Sequence, residues 1–208
     1  MPKIIDHEQR AERIANAAMR VVRRDGIGKL SVRSVADEAG LAVASLRRAF
    51  PTQASLRVFC MELVSQRVQA RIDALDRHMP AFDMAIACMR ELLPLDDERR
   101  TEMETFLALG ALAQTDPLLS AEYRRAHAAV SSACAHVLSE LLGQPELAEN
   151  PRRAPVRELH ALLDGLALHL LRQPPHLDTS WAVALLTGHL RRLVQESETR
   201  QGAPRDGR

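Results

Sequence analysis

Aromatic residues are scarce in this chain: one Trp, one Tyr and four Phe among 208 residues. Runs of β-branched residues are missing too, while Ala and Leu abound. That balance argues for an all-helical protein packed by aliphatic side chains. It also leaves too few rings for an aromatic cage around a quaternary amine. Cysteines number three (Cys60, Cys88 and Cys134), are far apart, and show neither CxxC nor Cys/His ligand spacing. A disulfide framework and a zinc module are excluded, and reduced thiols in a cytoplasmic protein are expected. No apolar run approaches the ~18 residues that a membrane span needs. The N-terminal MPKIIDHEQR lacks a signal-peptide hydrophobic region, so no membrane partner is expected. Phosphate-cradling Gly-rich loops, G-x-S-x-G and HExxH are likewise missing, and we expect no enzymatic activity, no catalytic residues and no cofactor.

What is present is a helical chain with an uneven charge. Apolar residues make up 46%, enough for a sizeable core, and the net charge is +1. Residues 1–60 hold 11 Lys and Arg against 6 Asp and Glu, whereas residues 61–208 hold 17 against 21. A basic N-terminal module on an acidic body points to a polyanion contact at one end only. Apolar periodicity with Gly, Pro and capping residues predicts about nine helices. The first runs from about Asp6 to Asp25, the second from Ser31 to Gly40, and the third to Phe50. A fourth runs from Thr52 to about His78, a fifth from Pro80 to Leu93, and a sixth from Asp96 to about Thr115. Pro117 to Leu142 forms the seventh, residues 144–154 a loop, Pro155 to Arg172 or Gln173 the eighth, and the ninth, capped by Asp178 or Thr179, ends near Glu198.

Residues 31 to 56, SVRSVADEAGLAVASLRRAFPTQASL, have helix-turn-helix spacing, with Gly40 at the stop between two short helices. With the preceding amphipathic helix, residues 10–60 resemble the TetR family of bacterial transcriptional regulators. Ser31, Val35-Ala36, Ala39-Gly40-Leu41, Leu46 and Phe50 keep the family framework. Several family positions differ: Ala42 stands for the usual Ser, Ala44 and Arg47 for Gly and Tyr, Ala49 for His or Tyr, and Gln53 for Lys. The resemblance implies a three-helix DNA-binding domain over residues 1–52 and a larger helical ligand-binding and dimerisation domain over 53–198. A disordered tail is expected over 199–208. Ser31, Arg33, Val43, Ala44, Ser45, Arg47, Arg48, Thr52 and Gln53 are the expected DNA contacts. Arg47 and Arg48 must take over phosphate or guanine contacts from the replaced residues.

The helical body carries weaker signals. Met84, Cys88, Met89, Met103, Phe106, Leu107 and Leu109 offer a soft apolar lining for a small, mainly apolar ligand, and His127 offers a polar anchor. The eighth helix is apolar nearly all round, so two of its sides must be covered. Leu159, Leu163, Leu166 and Leu170, with Trp181, Leu185, Gly188 and His189 of the ninth, are the expected homodimer interface. The acidic run Asp96-Asp97-Glu98 stands at a helix start, where acids suit the dipole without a metal. His160 and Asp164 share a helix face, but no third ligand follows at useful spacing, so no metal site is expected. The expected function is a dimeric repressor released from a palindromic double-stranded DNA operator by a small molecule. The alternative is a helical ligand-binding or metal-dependent enzyme that has kept the fold and lost DNA recognition.

Overall fold

The computed structural model describes the backbone of residues 3–202 and the side chains of residues 9–199. These form ten α-helices and one 3-10 turn, with no strand among the described residues. The helices are α1 (Lys3–Asp25), α2 (Val32–Ala39), α3 (Val43–Ala49), α4 (Gln53–Asp73) and α5 (Ala81–Arg90). They continue as α6 (Asp97–Leu112), α7 (Pro117–Leu142), α8 (Glu146–Glu149), α9 (Ala154–Arg172) and α10 (Ser180–Gly202). The 3-10 turn, Ile27–Lys29, follows α1.

Local chemistry sets most of these ends. Asp116 accepts from the amides of Leu118 and Leu119 at 3.1 and 3.3 Å and so starts α7. Asp178 does the same for α10, accepting from Ser180 N at 2.9 Å. Gly26, Gly40 and Gly143 alone have positive φ among the described residues, at 79°, 62° and 61°. They follow the last residues of α1, α2 and α7, where the chain must leave the helix.

Several boundaries differ from expectation, and α6 is one of them, ending at Leu112 where about Thr115 is expected. α4 stops at Asp73, not His78, because Asp76 draws in the His78 amide at 2.9 Å and closes a local turn. α5 ends at Arg90, where the amides of Leu92 and Leu93 bond three residues back to Met89 and Arg90. Within the expected loop, residues 146–149 form the short α8, with Leu147 buried beneath it. α10 continues to Gly202, past the expected end at Glu198, and residues 203–208 of the expected tail lie outside the described residues.

The chain forms two compact units, 1–69 with 97–126, and 70–96 with 127–208. In the first, α1 packs on α2 and α6, and α2 on α3. Its core includes Ile14, Ala17, Ala18, Val35, Ala36, Leu46, Leu56 and Leu109. Arg67 on α4 ties this unit together. It donates to Asn16 of α1 at 2.6 Å and to Glu98 of α6 at 3.3 Å, and lies 3.6 Å from the buried Glu102. In the second unit α10 packs on α9 and α5. Gln144 donates to Ser197 at 2.9 Å, and the Trp181 indole to Gln173 at 3.3 Å. All three cysteines are free and buried. Burial pushes the Cys60 and Cys134 thiols up to about 12, and raises Cys88 as well. No described helix is long and apolar enough to cross a membrane.

Gly110 of α6 lies under the Tyr123 ring of α7, where an added Cβ would be 2.6 Å from Cε2. The ring is also held against Phe106, centroids 5.2 Å apart. Helix propensity favours Ala over Gly by about 1 kcal/mol, while overpacking a core costs about 1–3 kcal/mol. Gly110→Ala is therefore expected to lower the unfolding free energy by up to about 2 kcal/mol. A urea melt with an unchanged or raised midpoint would show instead that the ring yields freely.

Candidate nucleic-acid interface

The helix-turn-helix is assembled from short-range bonds. Ser31, extended at φ −150°, accepts from Ser34 N at 3.1 Å, and Ser34 Oγ accepts from Ser31 N at 3.0 Å. This reciprocal cap starts α2. The same Ser34 hydroxyl reaches the Lys29 carbonyl at 2.7 Å and fixes the preceding turn. At the other end Gly40 turns left-handed, and the Leu41 amide bonds back to the Ala36 carbonyl at 2.9 Å. α3 starts at Ala42 with no side-chain cap and is anchored by Leu46, which is fully buried. Phe50 closes it and packs on Phe59 of α4, ring centroids 4.9 Å apart. Thr52 and Ser55 form a second reciprocal cap at the start of α4, at 3.0 and 3.2 Å.

This framework presents Arg33, Ala44, Arg47, Arg48 and Thr52 as exposed side chains, with Ser31 half-buried beside them. Three other expected contacts are turned toward the protein. Val43 is half-buried and packs against the core. Ser45 accepts a 2.7 Å hydrogen bond from Arg10 Nη2 of α1. The Gln53 amide donates to the Leu30 carbonyl and ties the start of α4 to the turn before α2. Gln53 thus serves a structural bond, where a Lys would extend into solvent.

Electrostatics separates three arginines of α1 from those on the helix-turn-helix. Arg20 and Arg24 both bind Glu38, at 2.7 and 2.8 Å; Arg24 also binds Asp25 at 2.8 Å, and Arg23 binds Asp97 at 2.6 Å. Hydrogen bonds from Arg20 and then Arg24 hold the Glu38 carboxyl below its ordinary range. By contrast, Arg33, Arg47 and Arg48 have no acidic partner among the described residues. Arg33 on α2 and Arg47 and Arg48 on α3 are therefore left as exposed, unpaired charges on the helix-turn-helix. Beside it lies an open groove of about 550 Å³, lined by Asp25, Lys29, Ser31, Arg33, Ser34 and Asp37. Lys29 in this groove and Arg10 behind α3 are additions to the expected set. Arg10 is 35 residues from its partner, and no local pattern announces such a contact.

The residues expected to line a ligand site fall in both units. In one, Met103, Phe106 and Leu107 are half-buried on α6, and Leu109 is fully buried. In the other, Met89 is fully buried and Cys88 Sγ lies 3.7 Å from Met84 Sδ. His127 of that unit is exposed. Of the expected interface residues, Leu159, Leu163, Leu166 and Leu170 are at most 4% exposed, buried by their own chain. They cannot offer surface to a second subunit, because that stripe of α9 already faces the core. On α9 and α10 the large apolar residues left outside are Leu168 (42% exposed) and Leu185 (55%). Ala184 and Gly188 are exposed beside Leu185, while Trp181 and His189 are half-buried. His189 Nδ1 lies 3.0 Å from Arg192, and burial, then Arg192, lowers its pKa.

The helical body matches a family model described as BetI-type transcriptional repressor, C-terminal, over residues 83–195. The whole chain is similar to the HTH-type transcriptional regulator PksA of Bacillus subtilis (strain 168). They are 32% identical over 203 residues, which is 97% of each chain. Among solved structures it is similar to a transcriptional regulator from Rhodococcus sp. Rha1, at 26% identity and a TM-score of 0.75, covering 89% of this chain and 96% of that one. It is also similar to the multidrug binding protein EbrR complexed with ethidium, at 28% identity and a TM-score of 0.59, covering 86% and 98%.

Substitution at Ser31 separates capping from anion contact. Ser31→Ala is expected to lower stability by about 1 kcal/mol through loss of the cap. Ser31→Asp is expected to keep most of that stability, since Asp also caps, while weakening DNA binding by repelling phosphate. Equal DNA affinity of the Asp variant and the parent, in a gel-shift titration, would remove Ser31 from the interface.

Proposed function

The chain belongs to the TetR family of transcriptional regulators, and on that premise we propose that it is a dimeric repressor released from a palindromic operator by a small, mainly apolar ligand. The observation that carries the DNA contact is the trio Arg33, Arg47 and Arg48: exposed, on the two helices of the helix-turn-helix, and without acidic partners among the described residues. Guanidinium groups left unpaired beside a capped helix start suit phosphate and guanine edges. Arg47 and Arg48 then replace the ring hydroxyl and imidazole that the family usually places on α3. Ala44, with no side chain beyond Cβ, lets α3 approach the groove floor. Lys29 and the Ser31 cap extend the phosphate track along the open groove beside Arg33.

A palindrome is read by two copies, with the two α3 helices about 34–36 Å apart. Leu185 with Ala184 and Gly188 on α10, and Leu168 on α9, supply apolar and small residues for a helical interface between copies. α4 runs continuously from Gln53, beside the DNA-reading element, to Asp73. A ligand that favours a different tilt of α4 would change the α3 separation and release the operator by population shift. EbrR was solved with ethidium, which supports a small-molecule ligand here as well.

The test of the DNA contact is a selection from genomic fragments with the purified protein, followed by titration of the selected site at several salt concentrations. The Arg47→Ala, Arg48→Ala double variant is expected to lose at least tenfold in affinity and about 1–2 from the log–log salt slope. Arg20→Ala, Arg24→Ala is expected to leave the slope alone, because those charges are already paired. An unchanged slope in the first double variant would remove α3 as the reading helix.

Leu185→Arg is expected to turn a dimer into monomers by light scattering, without loss of helix content. If the parent protein scatters as a monomer at micromolar concentration, the two-copy reading fails at its first step.

A further inference from the structure

His160 and Asp164 stand one turn apart on α9, and the fold adds what their spacing alone does not supply: His127, from α7. One ligand atom from each of the three lies within 4.8 Å of the other two. The imidazoles of His127 and His160 face each other with centroids 4.5 Å apart and an interplanar angle of 40°. His160 Nε2 is 3.9 Å from Asp164 Oδ2. All three residues belong to the second compact unit.

We propose that His127, His160 and Asp164 form a binding site for a divalent transition-metal ion that clamps α7 to α9. Metal–ligand bonds of about 2.0–2.2 Å to zinc place neighbouring ligand atoms roughly 3–3.5 Å apart. The cluster must therefore close by about an ångström. The two outer members can make that movement, since Asp164 has 62% of its side chain exposed and His127 is exposed. His160, whose side chain is 10% exposed, is the fixed ligand around which they close. Two imidazoles and one carboxylate select zinc, cobalt, nickel or copper(II) over magnesium and calcium, which take oxygen ligands. Three protein ligands leave one tetrahedral position for water or another small donor.

The ligand set is complete within one chain, so the site does not depend on the dimer.

The experiment uses the untagged, chelator-treated full chain, with Zn2+ in equilibrium dialysis and Co2+ for visible absorption. One Zn2+ per chain is expected, with a cobalt spectrum that contains no thiolate charge-transfer band. At a hundredfold excess over Kd, the melting temperature is expected to rise by roughly 5–10 °C. His127→Ala and Asp164→Asn, both at exposed positions and so expected to fold, should each weaken binding at least tenfold. Leu185→Arg should bind as the parent does, which separates this site from the dimer reading. No binding at 100 µM free Zn2+ would overturn the proposal, as would binding that both His127→Ala and Asp164→Asn leave unchanged.

Discussion

The DNA-reading element depends on a close approach of α1 and α2. Ala17 and Ala18 on α1 and Ala36 on α2 are fully buried in one cluster. Methyl side chains let two helix backbones come near, and close-packed interiors transmit any change of volume there. Because Gly40 then turns the chain left-handed, the position of α2 fixes the direction of α3. Leu46 and Phe50 lock α3 from below, against the core and Phe59. A larger residue at 36 would displace α2, and with it every side chain on the reading surface. The exposed arginines need no packing partners of their own; their placement comes entirely from this seam.

Surface charge in the first unit divides the same way. Glu38 and Asp25 pair with Arg20 and Arg24 of α1, and Asp97 at the start of α6 takes Arg23. Exposed pairs of this kind add little stability. Their consequence is spatial: Glu38 of α2 is taken up by α1, and Arg33, Arg47 and Arg48 stay unpaired where a polyanion would meet them. The acidic run at residues 96–98, which has the look of a metal motif, is used in part for these pairs. Asp97 holds Arg23, and Glu98 holds Arg67.

Legibility in the sequence followed the range of the interactions. Ser31, Gly40, Asp116, Gly143 and Asp178 act on amides or backbone within a few residues, and the helices they bound were readable from local pattern. Asp76 is equally local, yet its turn was hidden by an apolar periodicity that continues past Asp73. Side-chain direction was less legible. The partners of Gln53 and Ser45 lie 23 and 35 residues away, so nothing nearby shows that both turn inward. α9 posed a different problem: a helix apolar nearly all round does not say which stripe its own core will claim. The core took Leu159, Leu163, Leu166 and Leu170, and left Leu168 outside. The cluster of His127 with His160 and Asp164 was illegible for the same reason, since two helices contribute to it.

Burial of the cysteines bears on what kind of signal the protein can receive. Burial holds the Cys60 and Cys134 thiols in their protonated form at neutral pH, and the thiolate is the species that peroxides and electrophiles attack. Cys60 and Cys134 also lie beneath packed helices, with no exposed sulfur to meet such a reagent. In the folded state these sulfurs are withdrawn from oxidative chemistry. A redox signal acting through Cys60 or Cys134 would first have to open the helices that cover them.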